Sequence, residues 1–192
     1  MFAISEDPTS RAGVMSYRIV HNDRFIEEVL SHYKTQFGCD YEKYRNHAYR
    51  VYNYSLCQLG LATHEELAFA AAFHDLGIWS ANTFDYLDAS LRCMLNYLER
   101  HDYEKLRAIS TIIYWHHKRT PYVGVFEEEV EAFRKADLMD VTLGYKNCGI
   151  PATVMQEIKR AFPYRSFHFK LVKLSWKNFI RHPGNPLPMF KE

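Results

Sequence analysis

The chain has 192 residues, of which 47% are hydrophobic, and it carries 24 Lys and Arg residues against 23 Asp and Glu residues. This length and apolar content predict a globular chain with a sizeable core and exclude an intrinsically disordered one. The balanced charge gives no electrostatic reason to expect binding to nucleic acid or to a membrane surface.

Apolar residues recur at helical spacing along most of the chain from residue 17 onward. The predicted helices, in chain order, span residues 20–34, 41–59, 64–75, 87–99, 103–117, 127–145, 151–163 and 167–180. Gly38, Gly60 and Gly77 follow the first three, as glycine commonly does at a helix C-terminus. Residues 1–16 are expected to pack loosely, and the proline-rich tail to be extended.

The third predicted helix carries the clearest boundary signals. Thr63 and Glu66 have the spacing of a capping box at its start. The run 67–73 is apolar on all sides, which predicts a buried position at the centre of the fold. A loop is expected over residues 78–84, and no segment has the alternation of a strand. The predicted fold is therefore all-α, a single compact helical bundle in which residues 1–192 form one domain.

The chain lacks signals for export or membrane insertion. No apolar run is long enough to cross a bilayer, and the first residues lack the apolar core of a signal peptide. The four cysteines are widely spaced and contain no CxxC pair, so they are interpreted as reduced thiols. These features predict a cytoplasmic protein without a membrane partner.

Charged and polar residues on apolar helix faces are candidates for a site, because burying them without a partner is costly. His47 lies on such a face of the second predicted helix, His74 and Asp75 end the third, and Asp137 lies on an apolar face of the sixth. Taken singly, each could be a core or helix-end residue. Together they form a mixed nitrogen and oxygen ligand set, which suits Mn, Fe, Co, Ni or Zn better than Mg or Ca.

Four strings carry a resemblance to a known family: NHAYRVYNYSLCQLG (46–60), ELAFAAAFHDLGIW (66–79), AISTIIYWHH (108–117) and FRKADLMDVTLG (133–144). Over roughly residues 40–145 the chain resembles the HD superfamily of metal-dependent phosphohydrolases. The family's early His, its His-Asp doublet at the end of an alanine-rich helix and its final Asp match His47, His74, Asp75 and Asp137. The resemblance implies a helical fold of the HD type and one divalent transition metal, and it leaves a second metal open.

Three basic residues are predicted to bind the phosphate of a substrate. Arg50 lies one turn after His47, where it could meet a phosphate, pair with Asp75 or form a surface salt bridge. Lys118 and Arg119 follow a predicted helix, where cations also favour the helix dipole.

Three further residues are candidates for the catalytic chemistry. Asp85, in the loop after the metal motif, could act as a general base, and a helix N-cap is the alternative role. His116 and His117 end an apolar stripe and could donate to substrate or bind a second metal. His101 lies in a polar run and is expected to be solvated, so a single metal is the simpler interpretation.

The leading hypothesis is a metal-dependent phosphohydrolase that acts on a small phosphorylated metabolite or nucleotide. One alternative is an HD-type di-iron oxygenase acting on a small polyol or phosphonate, whose larger ligand set would require His101 as well. The other alternative is a non-catalytic module that binds a metal or ligand. The sequence predicts neither the substrate nor the oligomeric state.

Overall fold

The structure is a computed structural model, and it describes residues 17–81, 86–99, 105–146 and 148–165. The helices in this part of the chain are α1 (Arg24–His32), α2 (Lys34–Phe37), α3 (Tyr41–Leu59), α4 (Glu65–Phe73), α5 (Gly77–Ser80), α6 (Leu87–Glu99), α7 (Leu106–Trp115), α8 (Glu127–Val141) and α9 (Ala152–Ala161). None of the described residues forms a strand. The all-α prediction is thus confirmed, while the lead-in, the predicted helix 167–180 and the tail lie outside the described residues.

The first predicted helix is shorter than expected and is divided in two. Its start is set by Asp23, whose side chain accepts hydrogen bonds from the backbone N–H groups of Phe25 and Ile26 at 3.0 and 3.3 Å. At Tyr33 the backbone leaves the helical region, with φ −97° and ψ 10°, and α2 begins directly after it. Side-chain capping and this local turn therefore override the periodic pattern at both ends.

The central helix α4 is buried as predicted, since every residue of the run 67–73 is at most 5% exposed. Its N-terminus differs from the prediction. His64 is the N-cap, with its Nδ1 atom 3.5 Å from the backbone nitrogen of Leu67, and Thr63 is not. Glu66 is then only two residues after the N-cap, so the expected capping box does not form, and its carboxylate contacts Lys105 at 2.9 Å.

Four helices enclose the centre of the bundle. Helix α3 packs on α4 and α8, and α7 packs on the same two helices, so that the four form a closed ring. Helix α6 packs on α5 and α7, and α1 covers α4 from the other side. The four predicted ligands, together with Arg50, His116 and His117, belong to this ring or to the turns that follow its helices.

Part of the loop expected at 78–84 is helical, because Gly77 begins α5 instead of ending the helical structure. Gly77 lies against the start of α6, and its N–H donates to the hydroxyl of Ser90 at 2.8 Å. A Cβ atom at this position would lie 2.8 Å from the backbone nitrogen of Ser90 and still nearer to the backbone oxygen of Tyr86. Glycine is therefore required here by the close approach of two backbones.

Replacing Gly77 by Ala is expected to destabilise the fold by at least about 1–3 kcal/mol, because the added methyl group forces the backbone of α6 away. Chemical denaturation of the variant measures this loss. Adding Ser90→Gly should not restore stability, since the nearest obstacle is the Tyr86 backbone. Recovery in the double variant would show that the hydroxyl, and not the backbone, limits the approach.

Candidate metal centre

The structure brings the four predicted ligands together at the centre of the helix ring. His47 projects from α3, His74 and Asp75 follow the last turn of α4, and Asp137 projects from α8. None of these residues is more than 2% exposed. The candidate site is therefore built from three helices and is closed to bulk water within the described part of the chain.

The first donor group consists of four atoms: His47 Nε2, His74 Nε2, Asp75 Oδ2 and Asp137 Oδ1. The two imidazole nitrogens are 2.9 Å apart. The Asp75 oxygen lies 3.6 and 3.7 Å from them, and the Asp137 oxygen lies 3.5 and 3.8 Å from them. Two ligands that each lie ~2.1 Å from one ion are ~3.0 Å apart at a right angle and ~3.4 Å apart at the tetrahedral angle. Each of these separations is therefore close to that of two ligands on one first-row ion, and His47, His74 and Asp137 together could hold one.

A second donor group lies beside the first and uses the other oxygen of each carboxylate. Asp75 Oδ1 is 3.6 Å from His116 Nε2 and 4.0 Å from His117 Nε2. Asp137 Oδ2 is 3.3 Å from His117 Nδ1. Potential ligand atoms of His116, His117 and Asp137 all lie within 4.8 Å of one another. Each carboxylate thus presents one oxygen to each group, which is the arrangement of a bridging ligand.

Several polar atoms in the cluster have no hydrogen-bond partner. They are Asp75 Oδ1, His116 Nε2, and both carboxylate oxygens of Asp137, and all of them are buried. Polar atoms left in this state cost free energy, so native proteins seldom keep them without a partner. A cation between the carboxylates and imidazoles would pair with all of them. The buried cluster could therefore hold a metal ion, and its nitrogen and oxygen donors fit a transition metal.

The outer nitrogens of three imidazoles are held by hydrogen-bond acceptors. His47 Nδ1 lies 2.7 Å from Asp140 Oδ2, His74 Nδ1 lies 3.0 Å from the carbonyl oxygen of Ala71, and His116 Nδ1 lies 2.6 Å from that of Ile113. An acceptor on this side keeps the proton on Nδ1, so that Nε2 of the neutral ring faces inward with its lone pair. The three rings are thus set as nitrogen ligands by their surroundings.

Asp140 and Arg50 form a buried ion pair behind His47, and neither is exposed at all. The Nε and Nη2 atoms of Arg50 donate to the two oxygens of Asp140 at 2.6 and 2.8 Å. The predicted partners of Arg50, which were a phosphate, Asp75 or a surface carboxylate, are therefore corrected to Asp140. Sequence analysis missed Asp140, although it lies three residues after Asp137, just as Arg50 lies three residues after His47.

The segment 162–164 closes over the outer side of α3. The carbonyl oxygen of Phe162 accepts a hydrogen bond from Arg50 Nη1 at 2.9 Å, and that of Pro163 accepts one from Asn46 at 2.8 Å. The guanidinium carbon of Arg50 lies 4.1 Å from the ring centroid of Tyr164. Every nitrogen of the Arg50 guanidinium therefore has a hydrogen-bond acceptor, and this segment seals it from solvent.

Electrostatics in the metal-free centre place protons where a metal would bind. Burial lowers the pKa of His47, but hydrogen bonds to Asp140 and Asp75 outweigh it and raise the pKa to about 9. Burial raises the pKa of Asp137 to about 7, against the opposing charges of His116 and His47. The charge of Arg50 and its hydrogen bonds keep the pKa of Asp140 below its ordinary value despite burial.

Metal binding is expected to release protons and to strengthen as pH rises. Between pH ~7 and ~9, the logarithm of Kd should fall by roughly one unit per pH unit, because protonated His47 must lose its Nε2 proton to bind a cation. Below pH ~7 the slope should be steeper, since Asp137 must also lose a proton. Calorimetric titration in buffers of different ionisation enthalpy measures the protons released. A pH-independent Kd without proton release would contradict this assignment.

The other predicted residues are placed less centrally or lie outside the described residues. Lys118 is buried, with its Nζ atom 4.4 Å from the ring centroid of Tyr114, whereas Arg119 is exposed. Asp85 and His101 lie outside the described residues, so the predicted general base and the expected solvation of His101 remain predictions.

Tyr86 is a further residue of the cluster that sequence analysis missed. Its hydroxyl oxygen lies 2.6 Å from His117 Nε2, and its side chain is only 2% exposed. The available signal was its place beside Asp85 in the apolar stretch that leads into α6.

Comparisons of the chain with protein families, with curated proteins and with solved structures gave no match. Among the described residues, no helix combines the length and apolar character needed to cross a bilayer.

Proposed function

We propose that this chain is a metal-dependent phosphohydrolase that acts on a small phosphorylated metabolite or nucleotide. The observation that carries the proposal is the buried pair Asp75 and Asp137, whose four carboxylate oxygens are divided between two groups of imidazole nitrogens. The sequence resemblance to HD phosphohydrolases supports it, because the residues that match the family motif are the ones that converge at the centre of the helix ring.

Charge in the centre favours an anionic substrate. Once metal binding has displaced the protons of His47 and Asp137, the three carboxylates of Asp75, Asp137 and Asp140 and the cation of Arg50 give the ligand shell a net charge of −2. One divalent cation would neutralise this charge, and a second would make the centre positive. A positive, desolvated centre attracts anions such as hydroxide and the oxygens of a phosphoryl group.

The residues of the chain have distinct tasks in the proposed reaction. Asp75 and Asp137 would hold a bound cation through their carboxylates, and His47 and His74 would supply nitrogen ligands. A bound divalent metal would supply an activated water and would neutralise charge on phosphoryl oxygens. His116 and His117 lie at the second donor group, where an imidazole can bind a cation or donate a hydrogen bond to a phosphoryl oxygen.

The proposal is tested by phosphate release from nucleotides and sugar phosphates. Metal-free protein is reloaded separately with Mn²⁺, Fe²⁺, Co²⁺, Ni²⁺ or Zn²⁺, and the metal content is measured by elemental analysis. We expect turnover of at least one phosphorylated compound with a loaded protein, and its loss after chelation. A protein that binds metal but releases no phosphate from any of these compounds would contradict the hydrolase.

One observation favours the di-iron oxygenase as a second candidate. His116 and His117 lie beside the four predicted ligands, which gives six candidate ligands among the described residues. This number supports the oxygenase without a ligand from His101. Two irons per chain together with substrate-dependent oxygen consumption would establish the oxygenase. Bound metal without either activity would leave a non-catalytic metal- or ligand-binding module.

A further inference from the structure

The four imidazoles of the centre differ in what holds their outer nitrogen. His74 and His116 are held by backbone carbonyls, which can only accept a hydrogen bond. His47 is held by the Asp140 carboxylate, which likewise only accepts when it is ionised. The outer nitrogen of His117, Nε2, faces the hydroxyl of Tyr86 at 2.6 Å. A hydroxyl can accept or donate, so the tautomer of His117 depends on the direction of this hydrogen bond.

The two directions give His117 different roles. If Tyr86 donates to Nε2, the proton of the neutral ring is on Nδ1, which then cannot bind a cation. If Tyr86 accepts from Nε2, Nδ1 carries a lone pair and lies 3.3 Å from Asp137 Oδ2. In this second case His117 is a nitrogen ligand of the second donor group.

The surroundings of Tyr86 favour the accepting direction. The Asp75 carboxylate lies on the same side of the ring, with Oδ1 4.0 Å from His117 Nε2. Its negative charge favours a ring proton on Nε2 and draws the Tyr86 hydroxyl proton towards itself. Asp137 Oδ2, 3.3 Å from Nδ1, opposes this preference in the metal-free centre, and a cation bound between these two atoms would remove the opposition.

The position of Tyr86 is fixed by backbone packing. Its carbonyl oxygen accepts a hydrogen bond from the N–H of Ser90 at 2.8 Å, and it lies against Gly77, where a side chain would collide with it. Gly77 in turn follows Asp75 by two residues. The turn that carries one bridging carboxylate therefore also fixes the residue that orients His117.

We propose that Tyr86 is a positioning residue that accepts a hydrogen bond from His117 Nε2 and thereby makes His117 Nδ1 a ligand of a second divalent cation. The inference rests on the proposed function for the metal centre. It assigns a role to the fourth imidazole, that of His117, and to its outer hydrogen-bond partner, Tyr86. Tyr86 acts through His117 and does not itself touch the cation.

Calorimetric titration of the metal-free chain with Mn²⁺ or Co²⁺ tests the proposal. The wild-type chain should bind two ions, and Tyr86→Phe should weaken the second by ~10–100-fold while leaving the first unchanged, as is typical when an outer partner of a ligand is removed. Tyr52→Phe is the matched control, because Tyr52 is equally buried but its hydroxyl contacts His64 and Asp23. His117→Ala should weaken the same ion, and adding Tyr86→Phe to it should cause no further loss.

Three results would overturn the proposal. They are a wild-type chain that binds only one ion, a Tyr86→Phe variant with both metal affinities unchanged, and a Tyr86→Phe variant that loses affinity equally for the first and the second ion. A thermal unfolding curve for each variant separates loss of a ligand from loss of fold. Because the titration measures binding alone, its outcome is independent of phosphate release. The positioning role and the hydrolase can therefore fail separately.

Discussion

Asp75→Ala is expected to abolish both metal binding and phosphate release while the helical fold is retained. Asp75 presents Oδ2 to His47 and His74 and Oδ1 to His116, so its loss opens both donor groups at once. Helix α4 should persist, because the buried apolar run 67–73 holds it in the bundle. Elemental analysis, phosphate release and circular dichroism measure the three properties.

Two companion variants sharpen this prediction. Asp88→Ala, on the exposed face of α6, should keep full metal content and turnover. Asp75→Asn keeps the shape and a neutral oxygen, so it should weaken metal binding less than the alanine variant does. Full metal content and full turnover in Asp75→Ala would refute the assigned role.

Arg50→Met is expected to lower the free energy of unfolding by ~3–5 kcal/mol, because it leaves the Asp140 carboxylate buried without its cation. Arg45→Met on the same helix is the matched control. The Arg45 side chain is 21% exposed and pairs with partly exposed Glu27, so its loss should cost only ~0–1 kcal/mol. Urea denaturation of the metal-free proteins measures both changes.

A double variant separates charge burial from packing. Arg50→Met combined with Asp140→Leu removes both charges and should recover much of the lost stability, as replacement of a buried ion pair by apolar residues often does. Metal affinity should stay low in this variant, because His47 loses the partner that orients it. Equal destabilisation by Arg50→Met and Arg45→Met would contradict the buried-pair account.

Local patterns predicted the all-α fold and marked His47, His74, Asp75 and Asp137 as candidate site residues. Helical spacing of apolar residues marks the buried faces, and a polar residue on such a face is conspicuous. Whether two such residues meet depends on how the helices pack. The four ligands could be placed together only through the resemblance to a family.

The residues that sequence analysis missed or misassigned are defined by distant partners. Arg50 and Asp140 are 90 positions apart, and Tyr86 and His117 are 31 apart, so neither pair leaves a local signature. Gly77 gave a local signal that was interpreted as a helix end. Its steric role depends on the approach of α6, which no pattern around Gly77 reports.

The anchoring of Arg50 has a consequence for folding kinetics. Its guanidinium joins Asp140 and the carbonyl of Phe162, across sequence separations of 90 and 112 residues. Closing such long loops costs chain entropy before the contacts at their ends form. Folding is therefore expected to be slower than in bundles held by local contacts. We therefore expect the centre to be completed at a late step of folding, when these loops close. An ion that binds only the completed centre acts mainly on the unfolding rate and prolongs the lifetime of the native chain.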